Sequence, residues 1–227
     1  FHLIVLAPNS VQEMHDFVAD AFELSFKYRN PAMILADGCI GQMMEKVVLA
    51  PQRPRKTKEE IAAECKSWAL IGKTDDRERN VITSLELKSE VMEVNNQRLQ
   101  AKYNAIKENE VRYEAIQCDD ADYVIVAFGS SSRICSATVE MARAEGIKLG
   151  LLRPITLYPF PTKAIQELAE RGVKGFLSAE LNAGQMVEDV RLAVNGKAVV
   201  EHYGRMGGML FSPDEVLNAV KEKLINR

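Results

Sequence analysis

The chain has 227 residues, close to one and a half domains at about 150 residues each. It is 47% hydrophobic and 27% charged, and 29 Lys and Arg against 32 Asp and Glu leave a formal charge of −3, without the basic footprint of a nucleic-acid binder. No apolar run approaches the roughly 18 residues of a membrane helix, and no signal peptide opens the chain.

Residues 1–7 (Phe-His-Leu-Ile-Val-Leu-Ala) read as a strand buried on both faces, because the run is short, continuous and apolar. Ser10 and Glu13 are spaced as a capping box, and a helix to about Tyr28 places Val11, Met14, Val18, Ala21 and Phe22 on its apolar face. Asn30-Pro31 stops it, Ala32 to Ala36 forms a second buried strand, and Asp37-Gly38 turns out of that strand. This β-α-β unit needs neighbours. Either the C-terminal half supplies them or they lie upstream; upstream is favoured, because the first residue is Phe1 and the chain begins inside an element, so a C-terminal piece of a longer subunit is expected.

Residues 50–58, with two prolines and a cluster of Lys and Arg, read as an exposed linker, with a patch for an acidic partner or a phosphate as the lesser alternative. Trp68, the single tryptophan, is expected to pack. Lys88 to Ile116 has neither glycine nor proline and reads as a helical rod of roughly 40 Å, with Glu108 and Arg112 paired at i,i+4. The remaining residues alternate regularly. Strands are expected at 123–128, 148–153, 173–179 and 197–203, and helices at 133–145, to 171, at 184–194 and after Ser212-Pro213, with 154–161 as a turn-rich connection. The fold class is α/β, with a mostly parallel sheet and helices on both faces.

The chemistry is thin. Cys39, Cys65, Cys118 and Cys135 contain no Cys-x-x-Cys pair, so neither cluster nor structural zinc is indicated, and free thiols of a reducing cytoplasm are expected. Gly129 to Ser132 follows a strand and opens a helix; a plain helix start is favoured over an anion site. His2, His15 and His202 are scattered, and Asp119, Asp120 and Asp122 read as a solvated turn. Three segments, 153–156, 180–185 and 204–208, all follow strands and should leave the sheet by one edge. They serve either to pack a neighbouring domain or subunit, or to contact a ligand.

Four stretches carry a family resemblance: Leu-Ile-Val-Leu-Ala-Pro-Asn-Ser-Val-Gln-Glu-Met (3–14), Pro-Ala-Met-Ile-Leu-Ala-Asp-Gly-Cys-Ile-Gly-Gln-Met (31–43), Leu-Arg-Pro-Ile-Thr-Leu-Tyr-Pro-Phe-Pro (152–161) and Glu-Leu-Asn-Ala-Gly-Gln-Met (180–186). In order and spacing the chain resembles the α subunit of 2-oxoacid:ferredoxin oxidoreductases, nearest to the 2-oxoisovalerate (3-methyl-2-oxobutanoate) branch. The resemblance implies oxidative decarboxylation of a 2-oxoacid to an acyl-CoA and CO2 with reduction of ferredoxin. It implies thiamine diphosphate and Mg shared with a β subunit, coenzyme A as co-substrate, and iron–sulfur clusters in other subunits. Partners would be β, γ and ferredoxin-like δ subunits in a cytoplasmic oligomer. It divides the chain into the end of a pyrimidine-binding domain (1–50), a connector (51–117) and a transketolase C-terminal-like domain (118–227).

The family's catalytic glutamate would lie upstream, so no catalytic residue and no metal ligand is assigned. Asp37 and Gln42 are expected on the cofactor side, and Arg153, Asn182 and Gln185 on the substrate side, Arg153 because a planar guanidinium suits a carboxylate or phosphate. Two other readings stay open: a non-catalytic assembly module, and another thiamine enzyme of the transketolase or branched-chain dehydrogenase kind.

Overall fold

The computed structural model describes residues 2–52 and 54–226. Phe1, the first residue of the expected opening strand, and Arg53, in the proline-containing linker, lie outside the described residues. Two compact units result: Phe1–Val48 with Lys102–Arg227, and Leu49–Ala101. No helix among the described residues is long and apolar enough to cross a membrane.

The larger unit opens with β1 (Ile4–Leu6), α1 (Val11–Tyr28), β2 (Ala32–Ile34) and the short α2 (Gly38–Gln42). β1 and β2 pair in parallel, as a β-α-β crossover requires. In the smaller unit, α3 (Lys58–Cys65) starts at a Thr57/Glu60 capping box. There Arg77 places its guanidinium on the carbonyls of Lys66 at 2.6 Å and Ala69 at 2.8 Å, neutralising the helix end. None of that unit's described residues is buried, which agrees with an exposed linker over residues 50–58.

α4 (Ser89–Asn109) corrects the expected rod. At 21 residues it is about 30 Å long, and the chain breaks at Glu110 to form β3 (Tyr113–Ile116). Val111, Tyr113 and Ile116 suit a pleated edge better than a helix, and β3 pairs antiparallel with the strand at 149–154, whose backbone groups would otherwise be unpaired. The expected Glu108–Arg112 pair is therefore absent. Arg112 reaches Asp20 at 2.6 Å instead, and its carbonyl accepts the amides of Ile155 and Thr156.

The chain continues with β4 (Tyr123–Val126), α5 (Gly129–Ala144), β5 (Leu149–Pro154), β6 (Thr156–Tyr158), α6 (Thr162–Glu170), β7 (Gly175–Glu180), α7 (Met186–Val194), β8 (Val199–Gly204) and α8 (Pro213–Val220), and all of these strands but β6 join β3 in a second sheet. Its strand order is β3-β5-β4-β7-β8, parallel except for β3. Alternation is strict. Ile125, Leu151 and Leu177 pack with α5 and α8, whereas Val124, Leu152 and Phe176 pack with α6 and α7. The mostly parallel, doubly covered sheet expected from the sequence is thus present.

The expected connection at 154–161 contains a strand. One residue, Ile155, separates β5 from β6, and β6 leaves the five-stranded sheet to pair antiparallel with β1. The first sheet therefore has the order β2-β1-β6, and the later part of the chain supplies β1 with a neighbour. Two further details differ. α5 begins at Gly129 rather than Arg133. The buried face of α1 is Phe17 and Leu24, while Val18, Phe22 and Phe26 form an exposed ridge at i,i+4 spacing.

Gly150 marks where β5 runs closest to the turn after β3: a Cβ there would lie 2.9 Å from the Gln117 carbonyl and 3.0 Å from the Cys118 sulfur. Gly150→Ala should therefore lower unfolding free energy by about 1–3 kcal/mol in urea titrations, and an unchanged midpoint would contradict that packing.

Candidate functional site

The carboxyl edges of the two sheets are where an α/β fold gathers ligands. In the five-stranded sheet the crevice falls between the ends of β4 and β7, where successive connections diverge to either side. Two helices start there, α5 after β4 and α7 after β7. Each would offer unpaired amides and a positive dipole end to an anion. Both starts are taken by carboxylates of this chain.

At α5 the anion is Asp37. Its Oδ2 accepts the Ser130 amide at 2.8 Å and its Oδ1 accepts the Ser130 hydroxyl at 2.7 Å. The same carboxylate caps α2 through the Ile40 amide at 2.9 Å. Gly129 makes this approach possible: its φ is +58°, and a Cβ would stand 2.8 Å from Asp37 Oδ2. Burial alone would push the Asp37 pKa up; the bonds from Ile40, Ser130 and Cys39 together hold it below the usual carboxylate value.

At α7 the anion is Glu180, the last residue of β7 and 2% exposed. It accepts the amides of Gln185 at 3.0 Å, Met186 at 2.8 Å and Val187 at 2.9 Å, and the Ser178 hydroxyl at 2.8 Å. Burial again opposes the charge, and these four donors outweigh it, so its pKa is lowered. His202 Nε2 stands 4.0 Å from Glu180 and has no hydrogen-bond partner.

Arg153 is the penultimate residue of β5, 3% exposed. It makes a bidentate ion pair with Glu13 of α1, with Nη1 to Oε1 at 3.0 Å and Nη2 to Oε2. It also meets Glu114 of β3 at 3.3 Å and the Ala7 carbonyl at 3.3 Å. Glu13 therefore does not complete the expected capping box. Ser10 accepts the Glu13 amide as expected, but the Glu13 carboxylate takes the Asn9 amide at 2.8 Å and turns to Arg153.

The five predicted site residues lie as follows. Asp37 and Arg153 are brought into the junction between α1–α2 and the five-stranded sheet, with their charged groups engaged inside the chain. Gln42 is exposed at the end of α2, next to exposed Cys39. Asn182 accepts the Gly184 amide at 2.7 Å in the loop after β7, and Gln185 is exposed at the start of α7. The sequence places Glu13 in a capping box, Ser130 in a helix start and Glu180 at a strand end, but names none of them as a site residue. The available signal was a strand followed by Gly-Ser-Ser, which marks a helix start but does not say which carboxylate will meet it.

A family model described as "Pyruvate flavodoxin/ferredoxin oxidoreductase, thiamine diP-bdg" matches residues 1–114, half of the chain. The chain belongs to this family. A second model, "Pyruvate:ferredoxin oxidoreductase core domain II", matches residues 121–216. Ketoisovalerate oxidoreductase subunit VorB of Methanothermobacter marburgensis is 48% identical over 219 residues, 96% of this chain and 60% of that protein. 2-Oxoglutarate synthase subunit KorA of the same organism is 32% identical, covering 97% of this chain and 64% of that protein. The chain thus spans about 60% of the length of the curated relatives it matches. Among solved structures, the 2-oxoglutarate:ferredoxin oxidoreductase of Magnetococcus marinus superposes with a TM-score of 0.73 at 20% identity, over 97% of this chain and 42% of that one. A split-gene transketolase superposes at 0.52 with 14% identity, over 97% of this chain and 57% of that one. Both establish likeness of fold.

The donor set can be held against the family's cofactor. A diphosphate is held by free amides, cationic side chains or a metal, but the two helix starts at the crevice are filled by Asp37 and Glu180, and Arg153 is paired with Glu13. Among the described residues no cluster of His, Cys, Asp and Glu is arranged to hold a metal ion. These residues do not fit the diphosphate end of the cofactor.

Asp37→Ala should lower stability by about 2–4 kcal/mol, since it removes the α2 cap and two charge-assisted bonds at α5. The folded pKa values of Asp37 and Glu180 lie below their ordinary 3.8 and 4.5. Their stabilisation is present above those values and is lost as pH falls through the lower folded ones. Asp37→Asn should accordingly flatten the acid limb of a melting-temperature profile recorded from pH 6 downward to about 3.

Proposed function

We propose that the chain is part of a 2-oxoacid:ferredoxin oxidoreductase that oxidatively decarboxylates a branched-chain 2-oxoacid, 3-methyl-2-oxobutanoate, to an acyl-CoA and CO2 while reducing ferredoxin. The observation that carries this reading is the 48% identity to a ketoisovalerate oxidoreductase subunit along 96% of the chain. The weaker likeness to 2-oxoglutarate synthase subunits, at 32%, supports the branched-chain substrate over a dicarboxylate.

In this reading residues 1–50 end a pyrimidine-binding domain, 51–117 connect, and 118–227 form a transketolase C-terminal-like buttress. Thiamine diphosphate and Mg are shared with a β subunit, which holds the diphosphate end. That division is supported by the closure of both helix starts by Asp37 and Glu180. Iron–sulfur clusters belong to γ and ferredoxin-like δ companions, and coenzyme A is the acyl acceptor. The cofactor supplies the carbanion chemistry; this chain supplies placement. Arg153 keeps α1 seated on β5 by its pair with Glu13, and Gln42, Asn182 and Gln185 stand at carboxyl edges where substrate and companions approach. The exposed Val18–Phe22–Phe26 ridge of α1 supports work within an assembly rather than alone.

The test is anaerobic assay of the complex containing this chain. 3-Methyl-2-oxobutanoate should drive ferredoxin reduction only when coenzyme A is present, with 2-oxoglutarate turned over at a kcat/KM lower by about tenfold or more. Reduction of NAD, or transfer to lipoamide, would place the chain in another thiamine enzyme.

A further inference from the structure

Resting on that reading, we propose that α2 is a wall of the ligand site, lining the uncharged, amide-bearing arm of the acyl-CoA, and that Ser130 is the positioning residue that sets it there. Three observations converge.

The first is place. α2 follows directly from the carboxyl end of β2, the ligand-gathering edge of the parallel β1–β2 pair.

The second is chemistry. Between Ala36 and Met44 the only charged residue is Asp37, and its carboxylate is taken up by Ile40 and Ser130. What α2 presents outward is Cys39, Gly41 and Gln42, followed by Met44, 97% exposed. Nothing lies within 4 Å of a Cβ built on Gly38 or Gly41, so a ligand chain has room to approach the backbone. A surface of thiol, carboxamide, thioether and open backbone suits an extended neutral chain with amide groups. The helix itself carries no free cation for a carboxylate or a phosphate, the first being Lys46 two residues beyond Met44, so the nucleotide end of coenzyme A and the carboxylate of the 2-oxoacid are assigned away from α2.

The third is attachment. α2 has five residues and one buried side chain, Ile40, too little to fix it by packing alone. Its cap Asp37 is held from the other sheet by the Ser130 amide at 2.8 Å and hydroxyl at 2.7 Å. The first turn of α5 is therefore the tether at the start of α2, while Glu45, on the Val11 amide at 2.9 Å and Arg133 at 2.8 Å, holds the chain beyond its end.

Cys39 itself supplies the readout. Cys118 and Cys135 are buried, burial pushing the Cys118 thiol up to about 11 and the Cys135 thiol higher still, so neither is reactive. In a Cys65→Ser background Cys39 is then the accessible thiol of this chain. The assembled complex is treated with iodoacetamide, and Cys39 modification is followed by mass spectrometry with desulfo-coenzyme A, adenosine 3′,5′-bisphosphate or 3-methyl-2-oxobutanoate present. Desulfo-coenzyme A at about ten times its Kd should slow Cys39 modification about tenfold, and the bisphosphate, which lacks the arm, should not slow it.

Ser130→Ala keeps the backbone bond to Asp37 and loses the hydroxyl one. It should raise the KM for coenzyme A about fivefold, leave the KM for the 2-oxoacid in place, and weaken the protection of Cys39 in parallel. Turnover by the unmodified complex with no ligand effect on Cys39 would overturn the placement of α2. Protection by the bisphosphate or by the 2-oxoacid alone would overturn the assignment of the arm. A Ser130→Ala complex that loses thermal stability but keeps its coenzyme A constant would reduce Ser130 to a structural role. An unmodified complex with no coenzyme A-dependent turnover would instead defeat the functional reading itself.

Discussion

Charges removed from water must be answered at the place where they are buried, and this requirement organises the junction on which the larger unit is built. Arg153 lies inside the protein at the end of β5, and Glu13 answers it from α1 with both carboxylate oxygens. Asp37 is answered from the far side by the first turn of α5. A buried ion pair is a modest source of net stability, but breaking one partner leaves an uncompensated charge. The two contacts therefore act chiefly to allow one arrangement of α1 and α2 on the second sheet and to penalise others. The path of the chain reinforces them, because β5 and β6 belong to different sheets with only Ile155 between them.

The same requirement explains why neither helix start at the carboxyl edge of the second sheet is free to take an anion from solution. A parallel sheet with helices on both faces creates helix starts at its carboxyl edge whatever its function. Here those starts hold side-chain carboxylates, one from the neighbouring β-α-β unit and one from the strand that precedes the helix. The anion that such a crevice would take from solution is part of the polypeptide.

Much of this was legible in the sequence. The strands at 123–126, 149–154, 175–180 and 199–204 announce themselves as short apolar runs between helices of ordinary length, because a doubly buried strand tolerates few polar residues. Caps at Ser10 and Ser212 follow from local hydrogen bonding over three residues. The family was legible too, since four ordered stretches extend over the chain. The misjudged elements were those stabilised at long range. Residues 113–116 end a run of charged helix formers that masks the strand preference of Tyr113 and Ile116, and they become β3 because β5 offers an open edge. Residues 156–158 become β6 because β1 does. Val18 and Phe22 were placed on the buried face of α1 because periodicity reveals an apolar stripe without saying which of two stripes meets the core.

The sequence by itself determined the class of fold, the order of most helices and strands, the family and the absence of a Cys-x-x-Cys motif, all of which depend on residues near one another in the chain or on the pattern as a whole. Tertiary structure alone decided the partners of Asp37, Glu13 and Arg153. Asp37 and Ser130 are 93 positions apart, and Glu13 and Arg153 are 140. A carboxylate at a turn looks the same in sequence whether it faces a cofactor, a metal or the amides of a distant helix. Only the folded chain brings the donors within hydrogen-bonding distance and so settles which of these it does.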